Sequence, residues 1–196
     1  MVRRSARLLT AAVLTAVVAV TLGACGGPDD ETDRPSPTVS TPAVPALADL
    51  PVGRAEVGPG NSVHVRGSRI VVDGRAIDLA PLRVDEVAVV RGGVFFRNGT
   101  ELWFTDLDRA RATGYTDVQS LVASPDGRRI AFLDLEHGAN GRSGNPLALV
   151  LAFEAATGKP LGASYAEPGT IRFDGDALLV RGATGRDHRL PVGGGG

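Results

Sequence analysis

From Asn61 onward the chain is a succession of short apolar runs separated by Gly, Asp-Gly and Asn-Gly turns, with no sustained helical period. Such a chain is held to antiparallel β structure, because an Asp-Gly or Asn-Gly pair takes up the positive φ of a tight hairpin and returns the strand beside itself. The runs fall into groups. Val63–Val65, Arg69–Val72 and Ala76–Leu79, with turns at Gly67-Ser68 and Asp73-Gly74, make a first unit. Val87–Val90, Val94–Phe96 and Leu102–Leu107, with turns at Gly92-Gly93 and Asn98-Gly99, make a second. Leu121–Ala123, Arg129–Leu133 and, after a long loop, Leu147–Phe153 make a third; Thr170–Phe173, Ala177–Val180 and Arg189–Val192 make a fourth. The predicted fold class is all-β, with three to four short antiparallel blade-like units.

The clearest hairpin runs from Leu121 to Phe132 around Ser124-Pro125-Asp126-Gly127. Pro125 presets φ, Asp126 can bond its own backbone, and Gly127 accepts a positive φ. This stretch resembles the inner-hairpin signature of TolB-type and related WD-like β-propeller blades. The resemblance implies a propeller-like domain. Propellers generally close with four to eight four-stranded blades, and this chain offers fewer and shorter units, so a β-sandwich or an open sheet stack of the same hairpins is the alternative architecture.

The other end of the chain sets an address. Arg3, Arg4 and Arg7 are followed by an uncharged run from Leu8 to Leu22, the n-region and h-region of a secretory signal. The run is shorter than the ~20 apolar residues of a membrane span and ends in polar, turn-forming Gly26-Gly27-Pro28-Asp29-Asp30. Leu22-Gly23-Ala24-Cys25 contains the one cysteine of the chain, and it resembles the lipobox of bacterial lipoproteins. That resemblance implies cleavage before Cys25, acyl chains on Cys25, and anchorage on the extracytoplasmic side of the cell membrane. Two chains hold stably where one does not, at ~0.8 kcal/mol per buried methylene. The expected organisation is a signal peptide at 1–24, the lipidated Cys25 and a disordered Pro/Thr-rich linker at 25–50, a β-repeat domain at 51–193 and a glycine tail at 194–196. The linker carries Pro28, Pro35, Pro37, Pro42 and Pro45 among Thr, Ser, Asp and Glu, and lacks the apolar surface to offset its ordering entropy.

Three of the 21 basic residues lie in the signal and none of the 22 acidic ones does, so the mature chain carries a formal charge of −4. No clustered positive face is present, which argues against nucleic acid and against a polybasic membrane contact. With Cys25 consumed by lipid there is no thiol for a disulfide or a zinc cluster. Arginine outnumbers lysine overwhelmingly, Lys159 standing alone, a bias of GC-rich genomes such as those of actinobacteria.

No catalytic constellation emerges. The three histidines, His64, His137 and His188, fall in different units without ligand spacing. Asp134, Glu136 and His137 come nearest to a ligand set but read as the solvated start of a loop, and neither metal nor cofactor is expected. Ser124 reads as a turn residue rather than a nucleophile. The segment from Glu136 to Pro146 interrupts the third unit as its longest irregular stretch, and repeat folds often bind through such insertions. His137, Asn140 and Arg142 are therefore the candidate contact residues. Trp103 joins them, since Leu102 and Phe104 occupy the opposite sheet face. The expected function is a non-catalytic, lipid-anchored platform for an envelope protein or peptide. TolB-like domains dock in envelope complexes, and actinobacterial lipoproteins with propeller domains act beside sensor kinases, which is what the resemblance implies for a partner. The alternatives are a small-molecule or glycan binder, or a hydrolase, using a propeller pocket, and a degenerate fragment of a longer propeller.

Overall fold

The computed structural model describes residues 44–192; the signal segment, Cys25, most of the linker and the glycine tail lie outside the described residues. Among the described residues there is no helix, and fourteen strands build four antiparallel sheets, each a meander of strands consecutive in sequence. Sheet 1 contains β1 (Val63–Arg66), β2 (Arg69–Val72) and β3 (Arg75–Asp78); sheet 2 contains β4 (Glu86–Val90), β5 (Gly93–Asn98), β6 (Glu101–Thr105) and β7 (Ala110–Ala112). Sheet 3 contains β8 (Val118–Ala123), β9 (Arg129–Asn140), β10 (Pro146–Glu154) and β11 (Pro160–Ala166); sheet 4 contains β12 (Gly169–Asp174), β13 (Ala177–Gly182) and β14 (Asp187–Pro191). The four units read from the sequence are these four sheets.

The turns show why the hairpins form where they do. Asp73 and Gly74 both have positive φ, 47° and 84°, as a two-residue turn matched to strand twist requires. In the Ser124–Gly127 turn the Ser124 hydroxyl donates to Asp126 Oδ1 at 2.6 Å and accepts from the Arg129 amide at 2.9 Å, while the Arg128 amide also reaches Asp126 Oδ1 at 3.1 Å. Ser124 is a buried turn residue, as its sequence context suggests.

Alternation along each strand then assembles the sheets into a stack. Phe95 and Phe104 point toward sheet 3 and pack with Ile130, Phe132, Leu151 and Phe153; their neighbours Val94 and Phe96 point the other way, into a core shared with Ile70 and Val72 of sheet 1. On β9 the same parity sends Ala131 and Leu133 against Ile171, Leu178 and Val180 of sheet 4. The two middle sheets are thus buried on both faces, which is why β5, β9 and β10 read as continuous apolar runs. The end sheets alternate. Arg69 and Asp78 on sheet 1, and Arg172, Arg181 and Arg189 on sheet 4, face solvent.

Three features depart from the sequence reading. The β domain begins before residue 51: Leu50 is buried, donates its amide to the Gly158 carbonyl at 2.8 Å, and packs with Leu47 into the core between sheets 2 and 3. Apolar residues inside a proline-rich stretch do not register as a periodic element, yet two leucines suffice to seat it. The edge strands β7 and β11 also escaped the pattern, being short or built from small residues, and exist through pairing with β6 and β10. Finally, the long loop of the third unit is instead a two-stranded ribbon. β9 runs to Asn140 and β10 starts at Pro146, with Asn140 opposite Pro146 and Ala139 opposite Leu147. The ribbon projects past β8, so solvent bathes it and no apolar alternation was needed.

Phe132 lies fully buried, stacked on Phe153 at 5.6 Å and met edge-on by Tyr115 at 4.9 Å. Truncation to Phe132→Ala is expected to cost about 3–5 kcal/mol in chemical unfolding, and Phe173→Ala, at a half-buried position, distinctly less. A second expectation concerns acid. Hydrogen bonds first from the Ser124 hydroxyl and then from the Arg128 amide hold the Asp126 carboxyl below its usual range. Its contribution is therefore present above the unfolded value of ~3.9 and is lost as pH falls below it. Ser124→Ala should flatten the fall in urea midpoint below pH ~4 relative to the parent chain.

Candidate functional site

The most organised polar group among the candidates lies at the root of the ribbon. Asp134 sits on β9 opposite Val118 and Leu149, on the face turned toward sheet 2, with its side chain 1% exposed. A buried carboxylate must be supplied with donors. Its Oδ1 accepts the Glu136 amide at 3.0 Å and the His137 amide at 3.4 Å, and its Oδ2 lies 2.7 Å from His137 Nδ1. These bonds bend β9 at the register shift opposite Leu147–Leu149 and fix the imidazole. Nδ1 is committed to Asp134, which leaves Nε2 on the outer side of a side chain that is 45% exposed. Glu136 is tied separately, its Oε2 accepting the Thr116 hydroxyl at 2.6 Å. Gly138 follows because any Cβ there would meet the Leu147 carbonyl oxygen at 2.5 Å.

Ligating atoms of Asp134, Glu136 and His137 all lie within 4.8 Å of one another. They are already satisfied by one another, by backbone amides and by Thr116, as a structural knot would be. His137 also lines a cleft of about 190 Å³ with Thr113, Gly114, Tyr115 and residues 45–48. Burial pushes the Tyr115 phenol up to about 12, with the charge of Asp134 adding to the effect. Its hydroxyl donates to the Ala48 carbonyl at 3.4 Å, so the phenol is neutral and serves to seat the incoming chain.

The other candidates are placed unevenly. Asn140 and Arg142 are exposed on the same ribbon as His137, Arg142 in its tip, where the Gly141 amide bonds the Asn145 carbonyl at 2.8 Å. Trp103 belongs elsewhere. It lies on the sheet 2 face turned toward sheet 1, stacked on Phe96 at 6.4 Å and donating its indole N–H to Glu101 Oε2 at 3.1 Å. The acidic turns are engaged in ion pairs, Asp174 with Arg189 at 2.7 Å and Asp176 with Arg129 at 3.2 Å. Arg129 in turn lies over the Phe173 ring at 5.2 Å and locks sheet 3 to sheet 4. Sequence reasoning missed the role of Tyr115, whose isolated position between turn residues carries no signal.

No family model and no curated protein matches this chain.

Asp134→Ala leaves His137 Nδ1 and two amides without their acceptor. Hydrogen exchange should accelerate across residues 135–147 while residues 121–133 keep their protection, measured by mass spectrometry on the native protein. Equal protection in both segments would mean that the ribbon is held by its strand pairing alone.

Proposed function

We propose that this chain is a lipid-anchored cell-envelope protein whose β domain is a non-catalytic platform for a protein or peptide. Lipidation at Cys25 places it on the extracytoplasmic face of the cell membrane, and the linker presents the domain to its surroundings. The domain is read as propeller-like. Support for that comes from β8, which packs against β4 on one side and β12 on the other, so that the first strands of three sheets converge. Blades of a propeller likewise gather around an axis. The polar outer faces of sheets 1 and 4 suit an open stack of such blades.

The observation that carries the binding reading is the ribbon. It extends past its neighbour β8, exposes His137, Asn140 and Arg142, and is braced at its root by a buried carboxylate. A side chain already held in place, as His137 is by Asp134, reduces the ordering cost of association. A hydrolase is the second reading. An oriented imidazole over a cleft is the arrangement a general base needs, but the described hydrogen bonds of His137 go to Asp134 alone, and no nucleophile is among its partners.

The test is cross-linking of the intact lipoprotein in its native envelope, followed by affinity capture and mass spectrometry. A defined partner should be captured by the parent chain and lost from a variant carrying His137→Ala, Asn140→Ala and Arg142→Ala together. Cys25→Ser should move the protein out of the membrane fraction and abolish the same capture. Carbohydrate or a metabolite recovered from the purified protein, with no protein partner, would replace this reading by ligand binding.

A further inference from the structure

Four asparagines lie in the chain, and two of them, Asn98 and Asn140, precede a glycine. Such a pair carries chemistry of its own. When the glycine amide nitrogen gives up its proton it can attack the asparagine Cγ, closing a cyclic imide as the side-chain nitrogen leaves as ammonia. Water then opens the ring. Entry at Cγ leaves aspartate, and entry at the main-chain carbonyl leaves isoaspartate, with the new acid proton passing to the ammonia in either case. The other two asparagines are out of reach of this reaction. Asn145 precedes Pro146, which has no N–H, and Asn61 is held by the Gly58 amide and by Asp73.

The two pairs share a sequence and differ in their surroundings. At the β5–β6 turn, the Asn98 Oδ1 accepts the Arg83 amide at 2.9 Å, which keeps the side chain from swinging onto the next nitrogen. That nitrogen is itself restrained, because the Gly99 amide donates to Asp85 Oδ2 at 2.7 Å. A carboxylate against the N–H opposes loss of its proton. Arg83 lies 3.5 Å from the other carboxylate oxygen but is itself largely exposed, so it offsets little of that charge.

Asn140 meets neither restraint. Its exposed side chain has no hydrogen bond among the described residues. The Gly141 amide donates to a neutral acceptor, the Asn145 carbonyl at 2.8 Å, in the last bond before the ribbon tip, where a ladder opens most readily. No acidic residue follows Glu136 until Glu154, and Glu136 is tied to Thr116 about 13 Å back along the strand. The nearest charge in sequence is Arg142, whose cation favours the deprotonated nitrogen.

We propose that Asn140 is a self-modifying residue, converting without an enzyme to aspartate and isoaspartate in the folded protein while Asn98 persists. The product sets an anion beside Arg142. In the iso form the main chain is also lengthened by a carbon where β9 faces Pro146, so the end of the ribbon loses its register. The conversion is independent of what the ribbon binds; its effect on a partner rests on the platform reading.

The intact lipoprotein, incubated in detergent micelles at neutral pH in heavy-oxygen water and mapped by peptide mass spectrometry, tests it. Label should enter at Asn140 about ten-fold or more faster than at Asn98. In urea the two sites should convert at similar rates, and Asp85→Ala should speed conversion at Asn98 in the folded chain while leaving Asn140 as it was. Equal rates in the native protein, or faster entry at Asn98, would overturn the proposal. A native difference that persists unchanged in urea would overturn it too, since the protection would then belong to the flanking residues and not to the fold. Conversion at Asn140 with undiminished partner capture would support the proposal and count against the ribbon as the contact surface.

Discussion

The aromatic seam between sheets 2 and 3 carries the rest of the structure. Phe95 and Phe104 lie 4.8 Å apart on one wall, Phe132 and Phe153 are stacked on the other, and Tyr115 closes the end. No disulfide contributes, so cohesion falls to such side chains, each of which buries a large apolar area and favours offset or edge-on contact. Every later feature is referred to this seam. β9 presents Phe132 to it with one parity and Leu133 to sheet 4 with the other, so a slip of one residue would exchange the two cores. The buried Asp134 ends the same face of β9, at the point where apolar packing gives way to the ribbon.

Much of this was legible in the residues. Tight-turn pairs such as Asp73-Gly74 and Ser124-Pro125-Asp126-Gly127 act within a few residues, and they mark hairpins whatever the surroundings. Runs with apolar residues on both parities, such as Leu147–Phe153, announce sheets covered on two faces. Less legible was whatever depends on residues far apart. β11, with Gly162, Ala163 and Ser164, has no strand character of its own and is organised by β10. The ribbon carries the polar, glycine-rich composition of a loop because neither of its faces is covered.

The candidate site divides in the same way. Exposure of His137, Asn140 and Arg142 follows from local polarity and was anticipated by sequence position. Their organisation does not, because it depends on Asp134 being carried to the inner face of β9 and on Glu136 meeting Thr116 from the connection before β8. Trp103 illustrates the converse. Parity correctly opposes it to Leu102 and Phe104, but parity alone does not reveal that sheet 1 covers that face.

The incoming chain at residues 47–55, a strap across the core between sheets 2 and 3, has a mechanical meaning. The chain enters the domain through the seam between its two central sheets, with Leu50 bonded at Gly158 and Ala55 bridged to Gly92. A pull on the N-terminal side is therefore delivered to the middle of the stack rather than to an edge strand. The load reaches Leu47, Leu50 and their backbone bonds one after another, and peels them in sequence while β4 through β11 remain paired. Residues 47–55 therefore yield to such a pull before the sheets do, and the ribbon stays braced while they come away.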